Sequence, residues 1–289
     1  MKKIVKQIEL PEKLNLSTNI DRLLGEIENM NEDSEPILCF KDIQYIQPET
    51  IVLLISLSQQ MYQRTGKVVL WKDIKDETRR YLQRVQIENV PFIKMSNRVE
   101  LWKNKEEHSL IGIKIMNRPK QVDEMIAETK KILYQWFPER RAEQYVKQIS
   151  EYIRHIAGNS LEHSDDNNKG VCYYMLQRYN PKDKPMTVHV AFGDVGMGFE
   201  KSMAPKHPWI AEQGKSAIRE AFINGLSCRG KNKGGFGFRT VKLLLKGHGG
   251  EIRIRSGCEM LRYIGKSGRH NIRCFDNSLV GTQTLIILK

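Results

Sequence analysis

Apolar positions along the chain fall into short blocks whose spacing alternates between the strand period and the helix period. From Pro36 onward they predict a buried strand over residues 37–40, a helix over about 49–64, a strand over 67–71 and a helix over 77–85. Pro48 suits the first turn of the longer helix, where its missing N–H is not needed, and Gly66 suits its stop. Val68, Val69 and Leu70 read as a strand covered on both faces. A small α/β domain follows from these signals. The next stretch, LWKNKEEHSLIGIKIMNRPK, is charged and lacks strong periodicity up to Pro119, so it reads as a connection. The division is placed near residue 115, giving domains 1–115 and 116–289.

Two helical stretches are predicted beyond the connection, over residues 121–136 and 139–163, separated by Pro138. Strand character then dominates at 171–177 and 187–192, and a helix over 215–224 precedes a glycine-rich loop. A helix over 239–246, a Gly249-Gly250 turn, a strand over 252–255 and a last strand over 284–288 complete the chain. Helices on one face of a mixed sheet are the architecture predicted for this half.

Composition narrows the classes. The chain has 289 residues, 40% of them hydrophobic, which is enough for one large domain or two ordinary ones. The opening MKKIVKQIELPEKL lacks the apolar stretch of a signal peptide, and apolar runs such as residues 51–55 are too short to cross a bilayer, so a cytoplasmic location without membrane contact is expected. Cys39, Cys172, Cys228, Cys258 and Cys274 form no Cys-x-x-Cys pair, which suggests neither a disulfide framework nor a zinc knuckle. The net charge of +13 is uneven: residues 229–273 carry 12 Lys and Arg against only Glu251 and Glu259. Such a stretch suits a polyanion, either a triphosphate or nucleic acid, and equally a solvated basic surface.

Three glycine clusters occur in order at the ends of strands and helices. FGDVGMGF places Asp194 just after a strand, with Gly196 and Gly198 removing side chains where a flat ligand must approach the backbone. A buried carboxylate there can accept a hydrogen bond from an exocyclic amine, whereas alone the pattern would mark a turn. GGFGFRTVKLLLKGHGGEIRIRSG runs from a glycine loop into a helix, so backbone N–H groups can hold phosphates, with Gly235 and Gly237 at close approach. Arg229, Lys231 and Lys233 stand just upstream and can neutralise a triphosphate, or form a solvated lid. The pair Gly281-Thr282 offers a small hydroxyl before the last strand. In HIAGNSLEHS, residues His155, Asn159 and His163 are spaced by four and project to one side of a helix. An Asn amide oxygen can ligate Mg²⁺, and a histidine one turn earlier is placed to orient or deprotonate a water.

Together these residues resemble the GHKL superfamily of ATP-binding domains, to which gyrase and histidine kinases belong. HIAGNSLEHS is similar to its N box, Asp194, Gly196 and Gly198 to its first glycine box, and Gly235 and Gly237 to its second. The resemblance covers roughly 150 residues and implies a Bergerat-type α/β sandwich that binds ATP and Mg²⁺. It also implies that Asn159 holds Mg²⁺, Asp194 recognises adenine, Gly196 and Gly198 flank the base, and Gly235 and Gly237 sit beside the phosphates. Many members carry a catalytic Glu four residues before the Asn, where this chain has His155, as chemotaxis kinases do. The N-terminal half resembles STAS domains through ILCFKDIQYIQPETIVLLISL and GKVVLWKDIKDETRRYL. The turn Gln47-Pro48-Glu49-Thr50 lacks the phosphorylated residue of switchable members, since only Thr50 is near and it is displaced, so a docking module is expected, or equally a plain structural cap.

These readings lead to an ATP- and Mg²⁺-dependent regulatory protein with slow or no hydrolysis, a protein partner docking on the STAS-like half, and room for a homodimer. Alternatives are a non-catalytic nucleotide-binding scaffold, an anti-sigma-type serine/threonine kinase, and a nucleic-acid-associated ATPase suggested only by the basic stretch.

Overall fold

The computed structural model describes residues 4–96, 109–137, 142–162, 170–228 and 236–289. Strands β1 (Ile4–Glu9), β2 (Ser34–Cys39), β3 (Val69–Lys72) and β4 (Ile93–Met95) form a parallel sheet in that order. Helices α1 (Asp21–Glu28), α2 (Pro48–Thr65) and α3 (Asp76–Arg84) connect them, as parallel neighbours require. Ile8, Leu38, Val69, Trp71 and Ile93 are buried while Val5, Glu9 and Lys94 are exposed, so one face of this sheet packs on helices and the other meets solvent. The expectation of a third strand covered on both faces is corrected by this: Val68 stands outside β3, 47% exposed, and the strand itself alternates.

Pro48 opens α2 and Gly66 closes it at φ +67°, its N–H bonded to the Tyr62 carbonyl at 2.8 Å. Every residue of α2 from 48 to 58 is buried. A helix that is apolar all round needs cover on all sides, and here the second cover is another sheet. Thr50 lies inside this packing, its hydroxyl donating to the Leu14 carbonyl at 2.6 Å. That places it out of reach of a modifying enzyme.

The second sheet runs in the order β5-β6-β7-β9-β8, from β5 (Leu110–Met116), β6 (Cys172–Tyr179), β7 (Thr187–Gly193), β8 (Gly250–Ile264) and β9 (His270–Leu288). All its pairings are antiparallel, and helices lie on both faces. In this half the expected mixed sheet is corrected to an all-antiparallel one; its own helices lie on one face as expected, and α2 of the N-terminal half covers the other. Tyr174, Val188, Val190, Phe192, Ile252 and Ile286 point into a core with α4 (Pro119–Trp136), α5 (Ala142–Glu162), the short α6 (Gly198–Met203), α7 (Trp209–Glu212) and α8 (Ala217–Phe222), and α9 (Phe236–His248). Their neighbours Tyr173, Met175, Ala191 and Leu285 pack with α2 into the core of the N-terminal half. Strand β5 begins before residue 115 and pairs with β6, so the segment read as a connection contributes an edge strand to the second sheet. The hairpin β8–β9 bends at Gly257, φ +59°, where its register shifts, and Gly265 donates back to the Gly250 carbonyl at 3.0 Å.

Polar bonds tie the two halves. The fully buried Arg255 donates to the carbonyls of Leu16 at 3.2 Å and Thr18 at 2.8 Å, with its guanidinium over Phe275. Asp21 accepts from the amides of Asp276 and Asn277, and Tyr173 donates to Gln59 at 2.7 Å. Among the described residues no helix is long and apolar enough to cross a membrane.

Candidate functional site

Strand β7 delivers Asp194 to the end of the second sheet. Val188, Val190 and Phe192 face the helices, so His189, Ala191 and Gly193 face α2, and the chain turns at Asp194 where the strand ends. The carboxylate is 7% exposed and holds three donors. Oδ1 accepts from the amides of Gly196 and Thr282, each at 3.0 Å, and Oδ2 accepts from the Ser160 hydroxyl at 2.8 Å. The bond to Gly196 is the Asp-to-backbone turn that the local sequence alone would give. Thr282 on β9 and Ser160 on α5 add two partners distant in sequence. Burial pushes the Asp194 carboxyl up to about 6, while the Gly196 amide, Ser160 and the Thr282 amide hold it down. A carboxylate offers about four acceptor positions, so one on Oδ2 remains.

Glycines make the surrounding turns possible. Gly281 has φ +80°, and a Cβ there would run into the Asp194 carbonyl oxygen. Gly198 has φ +72° and a Cβ on it would come within 2.6 Å of Ser256 Oγ. Ser256 in turn donates to the Gly281 carbonyl at 2.8 Å and accepts from the Phe199 amide at 3.2 Å. The Thr282 hydroxyl donates to Ser256 at 3.3 Å, so it is the backbone of Thr282 that meets Asp194. Phe199, at the start of α6 (Gly198–Met203), stacks on Phe238 of α9 with centroids 5.8 Å apart.

Helix α5 carries His155 and Asn159 on one side, half-buried, and Ser160 on the adjoining buried side with Ile153 and Ile156. A Cβ on Gly237, in the first turn of α9, would lie 2.7 Å from His155 Cβ. The glycine therefore lets α9 approach α5, a structural reason for its presence that the phosphate expectation did not include. Asn159 sits one turn beyond His155, next to the residue that grips Asp194. Arg229, Lys231, Lys233, Gly235 and His163 lie outside the described residues. Ser160, Ser256 and Gln283 were not singled out from the sequence. Ser160 had a signal in its position beside Asn159, while Ser256 and Gln283 had none.

Among the described residues no three His, Cys, Asp or Glu side chains form a group that holds a metal ion. Models of known protein families give no match to this chain, and curated proteins give none either.

Proposed function

We propose that the C-terminal half, residues 116–289, is a Bergerat-type domain that binds ATP with Mg²⁺, and that the protein is a nucleotide-dependent switch with slow or no hydrolysis. The observation carrying this reading is Asp194: a buried carboxylate gripped by Gly196, Thr282 and Ser160, with one acceptor position left for an adenine amine. Gly196 and Gly198 keep side chains away from the base beside it. Gly237 lies in the first turn of α9 after a glycine-rich stretch, and the N–H groups of a helix's first turn favour phosphates.

Asn159 suits Mg²⁺, which takes oxygen ligands and retains waters and phosphate oxygens. When bound, Mg²⁺ neutralises phosphate charge and fixes the triphosphate. Arg229, Lys231 and Lys233 supply further positive charge in the same part of the sequence. His155 replaces the acidic base of many GHKL proteins, which is the basis for expecting slow turnover. The N-terminal half is STAS-like in this reading, and the solvent-facing side of its sheet, with Val5 62% exposed, is the surface offered to a protein partner.

Calorimetric titration of the full chain with ATP, a non-hydrolysable analogue and GTP, each with and without Mg²⁺, tests the reading. Mg²⁺-enhanced binding of both ATP forms with weak binding of GTP is the expected result. Equal affinity for ATP and GTP removes Asp194 from base recognition, and no binding of either removes the nucleotide reading.

A further inference from the structure

Behind Asp194 the turn is held by the N-terminal half. Gln283, fully buried on β9, pairs in register with Gly193, the residue before Asp194. Its Nε2 donates to the Asp194 carbonyl at 3.1 Å and to Ser56 Oγ of α2 at 2.9 Å. Ser56 donates its own proton to the Val52 carbonyl at 3.1 Å, so it can meet Gln283 only as an acceptor. Both amide protons of Gln283 are thus assigned, one to the turn and one to α2. Val52 closes the same contact, since a Cβ on Gly193 would reach within 2.5 Å of its Cγ1. The backbone that carries the proposed base-recognising carboxylate therefore rests on one face of α2.

We infer that Ser56 and Gln283 are positioning residues: through them α2 fixes the Asp194 turn and sets nucleotide affinity, so that whatever shifts α2 resets the site. This rests on the ATP reading above. By linkage the effect is reciprocal, and nucleotide in the site changes how firmly α2 is seated. The STAS-like half is then the back wall of the nucleotide site as well as a place for a partner.

The full-length chain is compared as wild type, Ser56→Ala, Gln283→Met and the double variant, with Arg64→Ala as a control. Arg64 is on α2 but bonds to the Glu28 carbonyl at its far end. Two readouts are taken: ATP affinity by calorimetry, and hydrogen exchange of peptides spanning residues 193–198 and 281–283 without nucleotide. Ser56→Ala is expected to weaken ATP about fivefold and Gln283→Met at least about tenfold, the sizes of one and more than one lost hydrogen bond. The double variant is expected to match Gln283→Met, because the two side chains act in series. Exchange in both peptides rises in the same variants, and Arg64→Ala changes neither readout. Variants that melt earlier yet bind ATP with wild-type affinity and exchange at the wild-type rate overturn the inference. Wild type that fails to bind ATP defeats the ATP reading, while exchange still decides whether α2 holds the turn.

Discussion

Replacing Asp194 by Asn separates binding from stability, because the two respond in opposite directions. The amide oxygen of the Asn variant can keep the bonds from Gly196 and Thr282, and the Ser160 hydroxyl can rotate to accept from the new amide nitrogen. Burial raises the native carboxyl from 3.8 to about 6. The folded chain thus binds the extra proton between those values. Its contribution to stability is fully present below about pH 4 and is lost as pH rises through about 6, a change of about 3 kcal/mol. Asp194→Asn removes that loss, so at about pH 8 the variant keeps or gains stability, by up to about 3 kcal/mol. In the proposed ATP complex its remaining nitrogen is a donor facing the adenine amine, also a donor. The missing charge-assisted bond, worth roughly 1.5 to 3 kcal/mol, weakens ATP roughly 10- to 150-fold. The same donor matches the carbonyl of guanine, so the ratio of GTP to ATP affinity rises. Urea unfolding and calorimetry on the same samples give both quantities. An Asp194→Asn protein that is stable and binds ATP as wild type does refutes the placement of the base.

Gly281→Ala forces a Cβ at φ +80° into the Asp194 carbonyl, and a loss of at least about 2 kcal/mol is expected in urea unfolding. Glu49 in α2 is 2% exposed, and burial raises its carboxyl from 4.5 to about 7, opposed by its own backbone amide and by Arg253 and reinforced by Glu251. Since the folded value is the higher one, stability from this group falls as pH rises through about 7. Glu49→Gln should therefore raise the urea midpoint at about pH 8 and leave it nearly unchanged at about pH 4. Phosphate release by wild type at saturating Mg²⁺-ATP is expected near background and should rise in His155→Glu. Robust wild-type release that survives His155→Ala takes the catalytic assignment away from His155.

The long elements were legible because their signals were local. Pro48 and Gly66 bracket α2 by backbone chemistry that needs no tertiary partner, and the alternation of residues 187–192 gives β7 its two faces. Strand β1 was missed: Lys6, Gln7 and Glu9 leave it little apolar alternation, because it forms the edge of a one-sided sheet. Strand β5 was read as a connection for a different reason. The charged residues before it and its weak alternation hide it, and a side chain at Gly112 would come within 2.8 Å of the Val85 carbonyl, so that glycine marks a close passage between halves. In the site, the glycine clusters and Asp194 stood out, while Gln283 and Ser256 did not. A lone polar residue in a strand reads as surface until its partners on other elements are known, and here Gln283 is fully buried.

That polar residues concentrate where α2 meets the second sheet bears on whether this interface can act as a switch. Gln60 Nε2, His189 Nδ1, Gln283 Oε1 and two nitrogens of Arg255 are buried there or nearby without a protein hydrogen-bond partner. Burial of this kind costs about 1 to 3 kcal/mol for each group left unsatisfied. The apolar side of the same interface is strong, with Val52, Ile55, Ala191 and Leu285 all buried. The two contributions oppose each other, so separation of the halves costs far less than the apolar area alone would suggest. Allosteric coupling between two sites is typically about 1 to 3 kcal/mol. In the proposed reading a coupling of that size has only to shift α2 within this interface, not separate the halves, and the Ser56–Gln283–Asp194 link joins α2 to the site.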